Sequence, residues 1–384
     1  MGTETLGERA KAALQRRDPR AALDLLAQIP PAAVTIDTFL DKALAFRMTG
    51  DLAAAVEALD GALVLEPRNL LALLSKGALL ERLSRPKAAA AIYKNALAVA
   101  PPAEHLPAAL AAPLARARTA VADHAAALAA HLRASVAAVR GEYPGQALGR
   151  FDEALSIYAG EMRPYVQEPL LITYPRLPAI PFYDRDDFAW MEELEAATPM
   201  LQAEAAGAMQ TRIDDFAPYI AFPPGVPVNQ WGELNHSRRW SSYFLWRDGA
   251  RQAGACAACP GTAALLDSLP MADQPGFAPT AMFSVLDAGA HIPAHTGSAN
   301  TRLIVHLPLI LPGPARFRVG NVTRSWRLGE AWVFDDTIEH EAWNDADAPR
   351  AILIFDIWNP SLTEAERRLI GAMMTAKNAF QAAE

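Results

Sequence analysis

The chain is poor in cysteine, and this shortage limits the kinds of site it can build. Only Cys256 and Cys259 occur among its 384 residues, in the sequence CAAC. A single such pair cannot supply the four ligands of a structural zinc site, and no histidine stands at zinc-finger spacing from it. The pair therefore predicts two reduced thiols in a loop, in preference to a metal or redox site.

The chain also lacks a long apolar run, a signal sequence and an excess of positive charge. No stretch reaches 18 apolar residues free of charge and proline, so we expect no membrane-spanning helix. The first residues, MGTETLGERAKAALQRRD, have no apolar segment of the kind that a secretory signal peptide needs. A net charge of −8 argues against a general nucleic-acid-binding protein. With 52% apolar residues, we expect a cytoplasmic protein with two globular domains.

The first 140 residues contain no tryptophan, although the whole chain has eight, and they are dominated by Ala and Leu. Between residues 36 and 102, matching residues recur 34 positions apart: Lys42 and Lys76, Ala55 and Ala89, Pro67 and Pro101. This period resembles the tetratricopeptide repeat, whose units are pairs of short amphipathic helices. Residues 8–30 resemble a degenerate preceding unit, and further helices are expected over 119–140 and 146–162. The alternative is a generic Ala-rich bundle, but the repeated positions favour a helical repeat domain over residues 1–165.

The chain changes character near residue 170, where it becomes rich in proline and then in β-branched and aromatic residues. Residues 186–197 predict one helix, and residues 363–381 predict another. Between them lie short apolar runs: SSYFLW, TAMFSVL, RLIVHLPLIL, ARFRV, AWVFDD and AILIFDIW. Gly, Pro and Asp turns separate these runs, which indicates an antiparallel sandwich or barrel.

Half of the eight histidines fall in one segment: His291, His295, His306 and His340. We place His295 in a turn before a strand, and His340 after the strand AWVFDD and the turn TIE. Imidazole is a good iron ligand, and two histidines on neighbouring strands of a jelly roll can reach one metal. Asp336, four residues before His340, either orients that ring or caps the turn. Alone, each histidine is more often structural than a ligand, so the pair needs support from the surrounding sequence.

The surrounding sequence supplies that support in the order HTG, RLIVHL, FDDTIEHEAW and an Arg ten residues after the second histidine. Together these segments resemble the aspartyl/asparaginyl β-hydroxylase family of iron(II)/2-oxoglutarate-dependent dioxygenases, over about residues 175–362. The resemblance implies a double-stranded β-helix, or jelly roll, over residues 166–384, behind a helical repeat domain as in the larger family members. It also implies that His295 and His340 bind iron(II). Gly297 then stands where related oxygenases have a carboxylate, and water completes the coordination.

The same resemblance implies a binding site for the co-substrates 2-oxoglutarate and O2. Arg350 matches the residue that pairs with the distal carboxylate of 2-oxoglutarate, which a guanidinium can grip through two hydrogen bonds. Ser284 matches its hydroxyl partner. Arg302 and His306 match residues lining the same pocket, with His306 near the proximal carboxylate. The implied reaction is hydroxylation of a C–H bond, nominally the β-carbon of Asp or Asn in a peptide, with succinate and CO2 as co-products.

The resemblance weakens at the substrate. The animal enzymes carry Arg at two positions where this chain has Asn235 and Ile304, and neither residue can pair with a carboxylate as Arg does. Nearby arginines are candidates to replace them: Arg238, Arg239 and Arg247. The substrate therefore stays open between a peptide or protein side chain, a free amino acid and another small molecule.

Two alternatives to hydroxylation remain at this point. A vacant carboxylate position can admit chloride, which would give a halogenase-like enzyme. A repeat domain joined to an inactive jelly roll would give a non-catalytic scaffold. The repeats themselves could guide a peptide or protein substrate to the iron, stabilise the catalytic domain or mediate self-association, and the oligomeric state is undetermined.

Overall fold

The computed structural model describes residues 5–102 and 105–382. The chain divides into two compact units, Met1–Arg163 and Pro164–Glu384. The outer ends of the two predicted domains, at residues 1 and 384, lie outside the described residues. Within the described ranges, every helix is too short or too polar to cross a lipid bilayer.

The first unit is built of α-helices that pack as successive antiparallel pairs. Their bounds are α1 Leu6–Gln15, α2 Pro19–Ala27, α3 Ile36–Thr49, α4 Leu52–Leu65, α5 Leu70–Arg82, α6 Pro86–Val99, α7 Ala108–Gly141 and α8 Gly149–Ala159. The 34-residue period corresponds to the pairs α3–α4 and α5–α6, and the degenerate unit to α1–α2. Gly50 ends α3 with a φ of 87°, and the Asp51 carboxylate caps α4 by accepting from the Ala54 amide at 3.0 Å. The predicted paired helices and their turns are therefore confirmed.

Small residues let these helices approach closely. Ala55 and Ala89, one period apart, are both fully buried. The Tyr93 ring packs directly on Gly77, where a Cβ atom would overlap it. The predicted start of α7 was wrong, because this helix begins at residue 108 and contains Pro113. A proline so near a helix start removes only one early backbone hydrogen bond, which the rest of a long helix tolerates.

The second unit combines helices with short strands. Its helices are α9 Met191–Ala196, α10 Thr198–Thr211, α11 Ala253–Ala258, α12 Pro260–Ser268 and α13 Glu364–Ala382. Its strands are β1 Ala217–Pro218, β2 Trp240–Arg247, β3 Ala250–Arg251, β4 Ala281–Leu286, β5 His291–His295, β6 Arg302–Ile310, β7 Ala315–Val319, β8 Val322–Ser325, β9 Trp332–Phe334, β10 His340–Asn344 and β11 Arg350–Trp358.

Across the described residues, the strands form two antiparallel sheets. The larger has seven strands in the order β1–β2–β4–β11–β6–β9, with β3 paired to β2. The smaller has four strands in the order β5–β10–β7–β8. The long excursions between neighbouring strands are those of a double-stranded β-helix, so the predicted fold class, a helical domain followed by a jelly roll, is confirmed.

Alternation along the central strands separates a packing face from a functional face. On β11, Leu353, Phe355 and Ile357 join the hydrophobic core that α9, α10 and α12 cover. The alternate residues Arg350 and Asp356 line a cavity between the two sheets. Because side chains alternate along a strand, one strand both builds the core and supplies the site.

The structure corrects the placement of His295, and it confirms that His340 follows a strand and a turn. His295 is the last residue of β5 rather than part of a turn before a strand, and His340 is the first residue of β10. Neither five-residue strand was predicted. Each is short and mostly polar or interrupted by proline, as in HIPAH, so its sequence lacks the apolar run that reveals the central strands.

Two other expectations in this unit were wrong. The predicted helix 186–197 is a 3₁₀ turn at Arg185–Asp187 followed by α9, and α10 was not predicted. Cys256 and Cys259 are buried free thiols at α11 and the start of α12, not residues of a loop. The surrounding apolar core, by desolvation, raises the pKa of the Cys259 thiol to about 11. Both thiols are buried and pack in the core, and their redox state stays a prediction.

Candidate active site

A cavity of about 360 Å³ lies between the two sheets of the second unit. Inward-facing residues of the larger sheet form one wall: Met282, Ser284, Arg302, Ile304, His306, Arg350, Ile352, Ile354 and Asp356. The smaller sheet contributes Ile292, His295, Phe317, His340 and Ala342. All six sequence-predicted site residues therefore line one cavity, although they come from five different strands.

His295 and His340 face each other directly across β5 and β10. Their ring centroids lie 4.1 Å apart. His295 Nδ1 contacts the Pro293 carbonyl oxygen at 2.7 Å, and His340 Nδ1 contacts the Ile338 carbonyl oxygen at 3.0 Å. A carbonyl only accepts, so Nδ1–H must donate in both rings, and each Nε2 keeps its lone pair.

Burial keeps both rings neutral. Desolvation, with a smaller contribution from the other ring, lowers the pKa of His295 to about 3. Desolvation likewise lowers the pKa of His340 to about 4. A neutral imidazole whose far nitrogen is fixed by a hydrogen bond is the form that binds a transition metal. The pair fits a metal such as iron(II) on these grounds.

At position 297, where related oxygenases have a carboxylate, the structure leaves no room for a side chain. The Gly297 amide donates to the Asp336 carbonyl at 2.6 Å, and a Cβ atom at residue 297 would overlap the Asp336 carboxylate. Asp336 thus fills the space of the missing side chain. In the described part of the chain, no three His, Cys, Asp or Glu side chains form a group suited to a metal. The donor set at this point is therefore two imidazoles.

The Asp336 carboxylate pairs with Arg302, and the His340 ring is held by backbone carbonyl groups, that of Ile338 at 3.0 Å. The Asp336 carboxylate accepts from Arg302 Nη2 at 3.2 Å, while its Oδ1 is buried and has no hydrogen-bond partner. Burial raises the pKa of Asp336. The same Arg302 donates through Nη1 to Asp356 at 2.9 Å, so two carboxylates hold its guanidinium. Arg302 lines the cavity but is already neutralised.

Within the described ranges, Arg350, unlike Arg302, has no carboxylate beside it. It is 1% exposed, and among the described residues no acidic side chain pairs with it. Its Nε and Nη1 atoms are buried without a hydrogen-bond acceptor, and its guanidinium lies 4.6 Å from the centre of the Trp326 ring. Desolvation lowers the pKa of Arg350 to about 9. A buried cation without an anion is costly, so this position is built for a ligand that brings one.

Ser284 and His306 lie on the strands that flank Arg350. The Ser284 hydroxyl is buried and accepts from the Trp240 indole at 3.0 Å, which leaves its own proton to donate. His306 Nδ1 is buried without a partner. Burial and the neighbouring Arg350 charge hold the pKa of His306 well below its ordinary value. The Ser284 hydroxyl can donate to an anion bound at Arg350, and His306 offers an unpaired ring nitrogen to a ligand in the same cavity.

The positions where the sequence departs from the family pattern are also clear. Ile304 lines the cavity, whereas Asn235 accepts from the Phe222 amide at 2.9 Å. The arginines proposed as replacements, Arg238, Arg239 and Arg247, do not line this cavity.

Five lining residues at the mouth were missed by the sequence reasoning: Leu170, Tyr219, Ile220, Phe222 and Trp231. They lie in irregular, mostly proline-rich segments without a helix or strand period, so nothing in the local pattern could have found them.

Comparison with known proteins agrees with this geometry. A family model described as aspartyl/asparaginyl beta-hydroxylase matches residues 211–360, which contain both histidines and Arg350. Human aspartyl/asparaginyl beta-hydroxylase is 38% identical over 142 residues. Residues 211–360 are therefore similar to the aspartyl/asparaginyl β-hydroxylase family. The resemblance seen in the sequence is thereby confirmed.

Other relatives of this family carry different names. Ornithine lipid ester-linked acyl 2-hydroxylase of Rhizobium tropici is 34% identical over 196 residues, which are 50% of this chain and 66% of that protein. Aspartate beta-hydroxylase domain-containing protein 2 of Xenopus tropicalis is 31% identical over 220 residues, 55% of this chain and 56% of that protein. The match to the human enzyme covers 36% of this chain and 18% of that protein. The chain thus spans less than two thirds of these relatives.

Proposed function

We propose that this protein is an iron(II)/2-oxoglutarate-dependent dioxygenase that hydroxylates a C–H bond. The overall reaction converts R–H, O2 and 2-oxoglutarate into R–OH, succinate and CO2. The observation that carries the proposal is one cavity with two neutral, oriented imidazoles and a buried guanidinium that lacks an anion. Similarity to a hydroxylase family over residues 211–360 supports the same reaction class.

His295 and His340 would hold the iron through Nε2, since each Nδ1 is already committed to a backbone carbonyl. Bound iron(II) would supply the activation of O2, which protein side chains cannot provide. The unpartnered Oδ1 of Asp336, buried in the same cavity, can accept a proton from a water or ligand there. Arg302 holds that carboxylate in place.

Arg350 would receive the distal carboxylate of 2-oxoglutarate, with the Ser284 hydroxyl as its partner. A charge-assisted hydrogen bond in a dry site is stronger than one at a surface, and here the guanidinium is already desolvated. His306 lines the same cavity with its Nδ1 unpaired, and we assign it to the proximal carboxylate of the co-substrate.

Two substrate classes follow from the names of the relatives. One is the side chain of Asp or Asn in a peptide or amino acid, and the other is an ester-linked acyl chain. We further propose that the helical repeats recruit the partner that carries the substrate. A groove of about 390 Å³ in this unit is lined by several leucines and by the charged residues Lys11, Asp37, Asp41, Arg47 and Arg82. The cytoplasmic location stays a prediction from the sequence.

The two alternatives are less well supported. A halogenase needs chloride beside the metal, but the Asp336 carboxylate fills the space next to Gly297 and would repel an anion. A non-catalytic jelly roll has no reason to keep Arg350 buried and unpaired.

The experiment that tests the proposal is 2-oxoglutarate consumption by the iron(II)-loaded protein, with succinate measured against CO2. We expect slow, iron-dependent succinate formation even without substrate. Product mass with and without chloride separates hydroxylation from chlorination. No succinate at any iron concentration would reject the proposed function.

A further inference from the structure

Five apolar residues from outside the named strands line the active-site cavity and are here called the apolar rim: Leu170, Tyr219, Ile220, Phe222 and Trp231. Thr296 and Ser298, which are polar, also line the cavity from outside the strands. Trp231 packs edge-on against the His295 ring with centroids 4.9 Å apart. A substrate chain that crosses this rim therefore reaches the histidine pair at once. Tyr219 and Trp240, with ring centroids 4.2 Å apart, continue the apolar surface inward.

The described cavity lining offers no available cation to an acidic substrate. Arg302 is matched by two carboxylates, Asp336 and Asp356. Arg350 lies deep in the cavity and is taken by the co-substrate in the proposed function. At the rim, the described lining residues include no Lys or Arg. A substrate carboxylate brought to this point would be desolvated without a cation, which is costly.

Several backbone polar groups of the rim are already hydrogen-bonded within the protein. The Tyr219 amide donates to the Trp240 carbonyl at 3.0 Å, and the Phe222 amide donates to Asn235 Oδ1 at 2.9 Å. The Ile220 carbonyl accepts from the His236 amide at 2.8 Å. Across the mouth, the Leu170 amide donates to the Gly297 carbonyl at 3.0 Å. A peptide in an extended conformation relies on main-chain hydrogen bonds to its receptor, and these four groups of the rim are not free to make them.

We infer that the part of the substrate that reaches the histidine pair is an uncharged acyl chain, in preference to an aspartyl side chain or a peptide backbone. Each methylene group of an acyl chain that the apolar rim covers favours binding. The methylene groups have no hydrogen-bonding atoms, so the chain needs no polar partner along its length. This inference rests on the proposed function for the reaction, but the binding site itself exists without the metal.

Binding of a neutral acyl ester to the metal-free, full-length protein tests the inference. The probe is 1-dodecanoyl glycerol below its critical micelle concentration, measured by calorimetry beside its six-carbon analogue. Two capped pentapeptides, one with a central Asp and one with a central Leu, serve as comparisons. We expect the twelve-carbon ester to bind, the six-carbon ester to bind more weakly and neither peptide to bind.

A matched pair of surface variants locates the site. Leu170 at the rim and Leu369 on α13 are exposed to similar degrees, 75% and 70%. Leu170→Asp should weaken acyl binding by about tenfold, because it places a charge where the chain enters. Leu369→Asp should leave it unchanged. Equal effects of the two variants, or tighter binding of either peptide than of the ester, would overturn the inference.

The same probes separate this inference from the proposed reaction. With iron(II) and 2-oxoglutarate, the ester should accelerate succinate formation and gain one oxygen by mass. If the ester binds but no iron-dependent succinate forms, the proposed reaction is rejected and the acyl-binding site is supported. If the Asp peptide accelerates succinate formation and the ester does not, the proposed reaction is supported and the inference of an acyl substrate is rejected.

Discussion

His295 and His340 are direct partners in the register of β5 and β10, and both rings are held by the backbone carbonyl two residues earlier in the chain. The 45-residue separation in sequence becomes a ring contact because the two strands are neighbours in the smaller sheet. The equivalent hydrogen bonds give both rings the same tautomer. Both rings line the same cavity, which is the arrangement that the proposed iron site requires.

Arg350→Ala should weaken 2-oxoglutarate binding by about 1.5–3 kcal/mol, the scale of a hydrogen bond to a charged group. Iron binding should stay nearly intact, because Arg350 does not contact the histidines. Calorimetric titration of 2-oxoglutarate checks this, with Arg247→Ala as a surface control that lies outside the cavity. An unchanged affinity in Arg350→Ala would assign the co-substrate carboxylate to another residue.

Arg350→Met should raise the thermal stability of the ligand-free protein, because it removes a buried cation that has no anion. In the original protein, 2-oxoglutarate should raise the unfolding temperature, and the variant should lose this response. A variant that unfolds earlier and still responds to 2-oxoglutarate would contradict the role given to this residue.

Gly297→Ala should lower the free energy of unfolding by about 1–3 kcal/mol, since its Cβ atom must displace the Asp336 carboxylate. Gly207→Ala in α10 is the matched control. A Cβ atom there meets open space, and alanine is the better helix former. Chemical denaturation measures both. Equal stabilities of the two variants would show that Asp336 moves away without cost.

Cys256 and Cys259 should resist alkylation in the folded protein at pH 8. Desolvation raises the pKa of both thiols, that of Cys259 to about 11, so little reactive thiolate forms, and the surrounding core blocks the reagent. Both should react once the protein is unfolded in denaturant, as counted by mass spectrometry. Rapid labelling of the native protein would reveal an opening of α11 and α12.

Deleting residues 1–163 should leave iron-dependent succinate formation intact, while turnover of the natural substrate falls through KM. This cut follows the division into compact units. A cut at residue 105 would remove helices on which α7 packs through Leu114 and Ala117, both fully buried. If the deletion leaves turnover of the natural substrate unchanged, the repeats do not recruit it.

Much of this fold could be predicted because its signals are local. The 34-residue period and the Gly50 turn mark the helix pairs, and the apolar runs mark β4, β6 and β11. Strands β5 and β10 were missed because their stability comes from pairing with each other and with β7, not from their own composition.

The candidate site could be predicted only in part, for a related reason. The motifs around His295 and His340 identify residues that lie at strand ends. The overlap between Gly297 and Asp336, the neutralisation of Arg302 and the apolar rim depend on which segments meet in space. No spacing in the sequence encodes those contacts.

The most direct test of the two-histidine centre is iron(II) binding under anaerobic conditions by the original protein and by His295→Ala, His340→Ala and His291→Ala. The last is a control on the same strand as His295, since His291 is outside the cavity lining and contacts Glu341. The original protein and the control should each bind one equivalent of iron(II), and the other two variants should bind none. Stoichiometric iron in either His295→Ala or His340→Ala would contradict the assignment.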